Sequence, residues 1–116
     1  MRLEARKYLY DIQQATELAV QFTKAKEYAD YQRDPMLRLA VERTFSIMGE
    51  ALLQLSRVDA ALAARISGFR KIISFSNSLV HAYAQIDDRI VWGIVQTELP
   101  ALSLEVAALM DEGSRP

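Results

Sequence analysis

Residues 34–57 read DPMLRLAVERTFSIMGEALLQLSR, and this stretch decides the fold class. The Asp34 carboxylate can accept from free amides at a helix start, and Pro35 at the first helical position gives up an amide that would have no partner there. Leu37, Val41, Phe45, Met48, Leu52 and Leu55 then recur at three- and four-residue steps, the spacing that places them on one stripe of a helix. The pattern predicts a helix from residue 35 to about residue 57.

The same period extends outward in both directions. Upstream, Leu9, Ile12, Ala15, Ala19 and Phe22 form a stripe in a run from Arg2 to Arg33 free of glycine and proline. Its more polar end, TKAKEYADYQRD at 23–34, reads as a bend or a separate short turn. Downstream, a third helical region spans Asp59 to His81 with a break at Ser67–Gly68, since glycine costs about 1 kcal/mol against alanine inside a helix. Beyond the break Phe69, Ile73, Val80 and Tyr83 share one phase. Asp87 is placed to cap a fourth helix containing Ile90, Val91, Ile94 and Val95, and Pro100 kinks or restarts it before Leu102, Val106 and Leu109. No stretch alternates apolar and polar residues as a strand would, and no repeat is visible. The expectation is an all-α protein, a four- or five-helix up-and-down bundle, with one domain over 1–112 and a flexible tail at 113–116.

Composition narrows the setting. The 116 residues are 51% hydrophobic, enough to bury one core, and contain no cysteine, so neither a disulfide framework nor a thiolate metal site is available. The N-terminus meets a charged or amide residue every few positions, and no apolar run approaches the ~20 residues of a membrane span. A soluble, cytoplasmic protein without a membrane partner is expected. The formal net charge of −1 is unevenly spread: residues 33–71 carry seven basic against four acidic side chains, and residues 72–116 carry two against six. The basic middle can meet phosphate locally, but the whole chain exerts no long-range pull on nucleic acid.

Candidate chemistry centres on SFSNSLVHAYAQIDD, residues 74–88, which holds the only histidine, His81. A Glu-x-x-His metal site fails because Ser78 stands three positions before His81, and Gly49, Gly68, Gly93 and Gly113 lie too far apart for a phosphate loop, so no metal and no cofactor are implied. A phosphorelay histidine lacks its usual lysine and glycine neighbours. Taken alone, a histidine near a helix end more commonly satisfies a carbonyl or the negative end of the helix dipole.

The segments GEA at 49–51, ISGFRKIISFSNSLVHAYAQID at 66–87, IVW at 90–92 and LPAL at 99–102 resemble the HepT branch of the HEPN superfamily. These are small helical toxins that work beside MNT-type minimal nucleotidyltransferase antitoxins. The resemblance implies a homodimer and a metal-independent endoribonuclease acting on RNA through an Arg-x4-His site, commonly continued as His-x-Tyr. His81, Asn77 and Tyr83 match the family positions. The arginine position holds Ser76, so half of the catalytic pair is missing. In such a site a histidine transfers protons and an arginine fork stabilises phosphate charge. Serine carries no charge, and a loss of about 10²- to 10³-fold in turnover is the expected scale. Tyr83 either packs against the next helix or is the tyrosine that the partner modifies with adenylate. Glu50 matches the GEA segment, with a buried pairing to an arginine or a catalytic role both open. Arg70, eleven positions before His81, falls on nearly the same helix face about 16 Å away, as a phosphate contact reaching across an antiparallel dimer. The alternative is a non-catalytic HEPN subunit that keeps the dimer and the partner surface.

Overall fold

The computed structural model describes residues 1–81 and 86–114. Among these residues the chain forms seven helices and no strand: α1 (Leu3–Thr23), α2 (Tyr28–Arg33), α3 (Pro35–Val58), α4 (Ala60–Ala63), α5 (Phe69–His81), α6 (Asp88–Thr97) and α7 (Leu99–Gly113). Five are long and two, α2 and α4, are single short turns of helix, so the all-α bundle is as expected with its connections themselves coiled. The shortest dimension of the 47 × 29 × 19 Å body equals about two helix diameters, that is, two layers.

Helix α3 is the central beam. Asp34 Oδ1 accepts from the amides of Met36 (3.0 Å) and Leu37 (3.2 Å), which fixes its start beside Pro35. Its whole anticipated stripe is buried, with Val41, Phe45, Met48, Leu52 and Leu55 at 0% exposure. Helix α1 lays Ala5, Leu9, Ile12, Ala15 and Ala19 against it, and α7 backs α1. On the other flank α3 receives α5, while α6 packs on α2 and α7.

The polar end of the first helical run is a separate helix. α1 stops at Thr23, Ala25 takes a left-handed backbone with φ of 59°, and α2 follows. The turn serves a packing purpose: it delivers Tyr31, fully buried, onto Trp92 of α6 with ring centroids 5.4 Å apart. Among the described residues the Tyr31 hydroxyl has no hydrogen-bond partner, and burial together with the Glu42 and Asp88 carboxylates pushes its ionisation far above the usual phenol range. Burial also raises the Glu42 carboxyl, with the Asp88 charge adding to it.

Three details depart from the stripe reading. The break in the region 59–81 falls at Ser67–Gly68 as expected but is wider: a four-residue α4, capped by Asp59 Oδ1 on the Leu62 amide at 3.0 Å, is followed by turns over 64–68 and then α5. Gly68 has φ of +71°, the left-handed backbone that glycine accepts without steric cost. Ile90 is 58% exposed, and Trp92 takes its place in the α6 core beside Val91, Ile94 and Val95. Pro100 does restart the chain: α6 and α7 meet at 45°. Gly113, expected in the tail, closes α7, and Ser114 Oγ accepts from Arg6 at 3.2 Å. Among the described residues no single helix is long and apolar enough to cross a membrane.

Candidate functional site

The face that α5 turns inward determines where its polar residues go. Ile72, Ser76 and Leu79 are buried at 1%, 7% and 6% exposure, Phe69 and Ile73 are half-buried, and Val80 is 59% exposed. The buried stripe is therefore rotated by roughly 60° from the expected Phe69, Ile73 and Val80 phase, at about 100° per residue. Tyr83, the fourth member of that phase, lies outside the described residues.

The reason for the rotation sits on α3. Gly49 is buried, and a Cβ built there would stand 1.7 Å from Ser76 Oγ and 2.2 Å from Ser76 Cβ. A glycine facing a serine lets the two helix backbones approach more closely than two larger side chains would, so the small pair, rather than the bulkiest apolar stripe, sets the contact line. Phe75 completes the seal, meeting Phe45 edge-on with centroids 5.4 Å apart.

With Ile72 and Leu79 inward, the face that carries Arg70, Asn77 and His81 turns toward open space. An open groove of about 900 Å³ runs between α3 and α5, and Arg43, Glu50, Arg70, Ser76, Asn77 and His81 all line it. The structure thus gathers every described residue that the sequence pattern singled out. Ser76 lies at the groove floor, and its hydroxyl donates to the Ile73 carbonyl at 2.9 Å, a bond within its own helix. Glu50 is exposed and accepts from Gln54 Nε2 at 3.0 Å, so the buried pairing with an arginine is not formed. The Arg70 guanidinium stands over the Phe69 ring, 5.0 Å from its centroid, which steadies the side chain at the groove's edge.

The end of α5 remote from His81 is held from outside the groove by three carboxylates. Arg65 makes a forked pair with Glu112 at 3.0 and 2.6 Å, the Ser67 amide donates to Glu105 at 2.7 Å, and Lys71 bonds Glu98 at 2.9 Å. The Glu112 carboxylate raises the already high ionisation of Arg65. Residues 65–71 are thereby tied to the α6–α7 arm just ahead of the groove-lining turns. Sequence reasoning missed this arrangement and also missed Arg43, because each depends on residues from distant helices.

An all-helical chain with a polar groove that pairs a helix-terminal histidine with asparagine and arginine defines the class. The comparisons define the family. A family model described as Ribonuclease HepT-like matches residues 12–109, and the chain belongs to this HepT-like family. It is 31% identical over 102 residues to a provisionally named HepT ribonuclease of Thermococcus cleftensis, covering 88% of this chain and 92% of that one. A provisionally named RNase of Methanocaldococcus jannaschii is 28% identical over 103 residues (89% and 94% covered), and one of Caldanaerobacter subterraneus is 27% identical over 107 residues (92% and 95%). No solved structure matches the chain.

Proposed function

We propose that this chain is a HEPN toxin subunit of the HepT type, cytoplasmic and homodimeric, whose α3–α5 groove receives RNA. His81 serves as the proton-transfer group of a metal-independent endoribonuclease, and Asn77 orients the phosphate. The observation that carries the reading is the joint placement of Asn77, His81 and the Ser76 position along one groove with two arginines.

Cleavage without a metal needs a base for the 2′-hydroxyl, an acid for the departing 5′-oxygen and positive charge for the phosphorane oxygens. Histidine performs either proton transfer near neutral pH. With one histidine per chain, a two-fold axis that brings two His81 side chains to one RNA supplies both acid and base. The third requirement is the one this chain meets poorly. Ser76 offers only a hydroxyl, and that hydroxyl is spent on the Ile73 carbonyl. Turnover is accordingly about 10²- to 10³-fold below that of a site with the arginine. An MNT-type nucleotidyltransferase is the partner, and Tyr83 is the residue it modifies with adenylate, adding charge and bulk two positions from His81.

The engaged hydroxyl of Ser76 also favours a second reading, a non-catalytic HEPN subunit that keeps the fold, the dimer and the partner surface but has lost cleavage. Incubating the purified chain with single-stranded RNA in excess EDTA separates the two. Slow cleavage that His81→Ala removes supports the ribonuclease; no cleavage above the His81→Ala level by a chain that sediments as a dimer supports the non-catalytic subunit; no cleavage by a monomeric chain sinks both.

A further inference from the structure

Arg43 lies on α3, twenty-seven positions before Arg70, and nothing in its local sequence marks it out. The fold nevertheless places it on the wall of the groove opposite α5. We infer that Arg43 and Arg70, one from each wall, are the phosphate-binding residues of the groove and supply the positive charge that position 76 lacks; the inference rests on the RNA reading above.

Pairing state supports it. Among the described residues Arg2, Lys7, Arg33, Arg65 and Lys71 each have an acidic partner, and of the basic residues that form no ion pair only Arg43 and Arg70 line the α3–α5 groove. Both are exposed. An unpaired guanidinium keeps its whole fork of donors for an incoming oxyanion.

Charge balance supports it as well. Among the described residues the charged lining of the α3–α5 groove is Arg43, Arg70 and Glu50, a net of +1 with His81 counted as neutral, in a chain whose net charge is −1. A neighbouring groove between α1 and α3 gives the contrast. Its charged lining is Lys7, Arg43, Asp11 and Glu50, a balance of zero, and Lys7 there is already bonded to Asp11 at 3.4 Å. Arg43 stands on the ridge between the two, and only the α5 side offers a second free cation. A single strand lying along α5 therefore meets Arg70 toward one end, Asn77 and His81 toward the other, and Arg43 from across.

The test uses binding, so that it does not depend on turnover. A single-stranded 2′-O-methyl RNA, which lacks the nucleophilic hydroxyl, is titrated against the full chain and against Arg43→Gln, Arg70→Gln and Arg89→Gln over a range of salt. Arg89 is exposed on α6, outside the groove, and controls for loss of one charge. The expected result is about fivefold weaker binding for each groove variant at low salt and a salt slope shallower by about 0.7, the value for one phosphate contact on a single strand. Arg89→Gln should stay within about twofold. Unchanged melting temperatures confirm that the variants fold. Tight binding by the unaltered chain with both groove variants indistinguishable from Arg89→Gln would overturn the role of the two arginines and leave the RNA reading standing. No binding by the unaltered chain would overturn both.

Discussion

On the α3 side of α5, Ile72, Ser76 and Leu79 stand at 1%, 7% and 6% exposure, while Arg70, Asn77 and His81, a fraction of a turn away, face the groove. The first face is fixed by shape: Gly49 opposite Ser76 leaves no room for a Cβ. The second carries side chains that the packing does not need. Position 76 belongs to both, since it touches α3 and also lines the groove. A substitution there alters the packing and the groove together, whereas one at His81 alters the groove alone.

The inner face should break hardest. Phe45→Ala removes a fully buried ring along with its edge contact to Phe75, and urea unfolding should show a loss of about 3–5 kcal/mol. Gly49→Ala comes next. The added methyl must push α3 and α5 apart, costing about 1–3 kcal/mol, partly offset by the better helix propensity of alanine. The double variant Gly49→Ala with Ser76→Gly, which moves the small residue to the other helix, should recover most of that loss. Additive losses in this cycle would show that the close approach is not what sets the rotation of α5.

On the outer face the effects on stability should be small. His81→Ala, at an exposed position, should change unfolding free energy by less than about 0.5 kcal/mol. Away from α5, Glu42 offers a pH-dependent check. Its folded carboxyl is raised above the ordinary 4.5, so its contribution to stability is complete below that pH and is lost as pH rises through the folded value. Glu42→Gln should therefore raise the melting temperature slightly at pH 7, and the gain should vanish in acid below pH 4.5. A gain that persists in acid would assign the effect to something other than the carboxylate charge.

Much of this was legible in the sequence, for identifiable reasons. Asp34–Pro35 and Asp87 cap helices through contacts only two or three residues long, and the stripes of α1 and α3 repeat often enough to fix their phase. The phase of α5 was not legible. Its apolar residues support two neighbouring stripes, and the choice between them depends on Gly49, more than twenty residues away. His81, Asn77 and Ser76, which the structure places along one groove, could be singled out from one short motif. Arg43 and the carboxylates Glu98, Glu105 and Glu112 could not, because side chains from separate helices meet only when the bundle closes.

The central claim is that the groove is a ribonuclease site lacking its arginine, and the most direct measurement is RNA cleavage in EDTA by four proteins. These are the chain as it stands, Ser76→Arg, His81→Ala, and Ser76→Arg with His81→Ala. Ser76 packs directly against Gly49, so a longer side chain at position 76 must leave through the groove that it also lines, and melting temperatures check that the variants fold. The account predicts that Ser76→Arg raises cleavage by about 10²-fold or more and that adding His81→Ala abolishes the gain. A folded Ser76→Arg protein that cleaves no faster than the original, or whose gain survives the loss of His81, would contradict it.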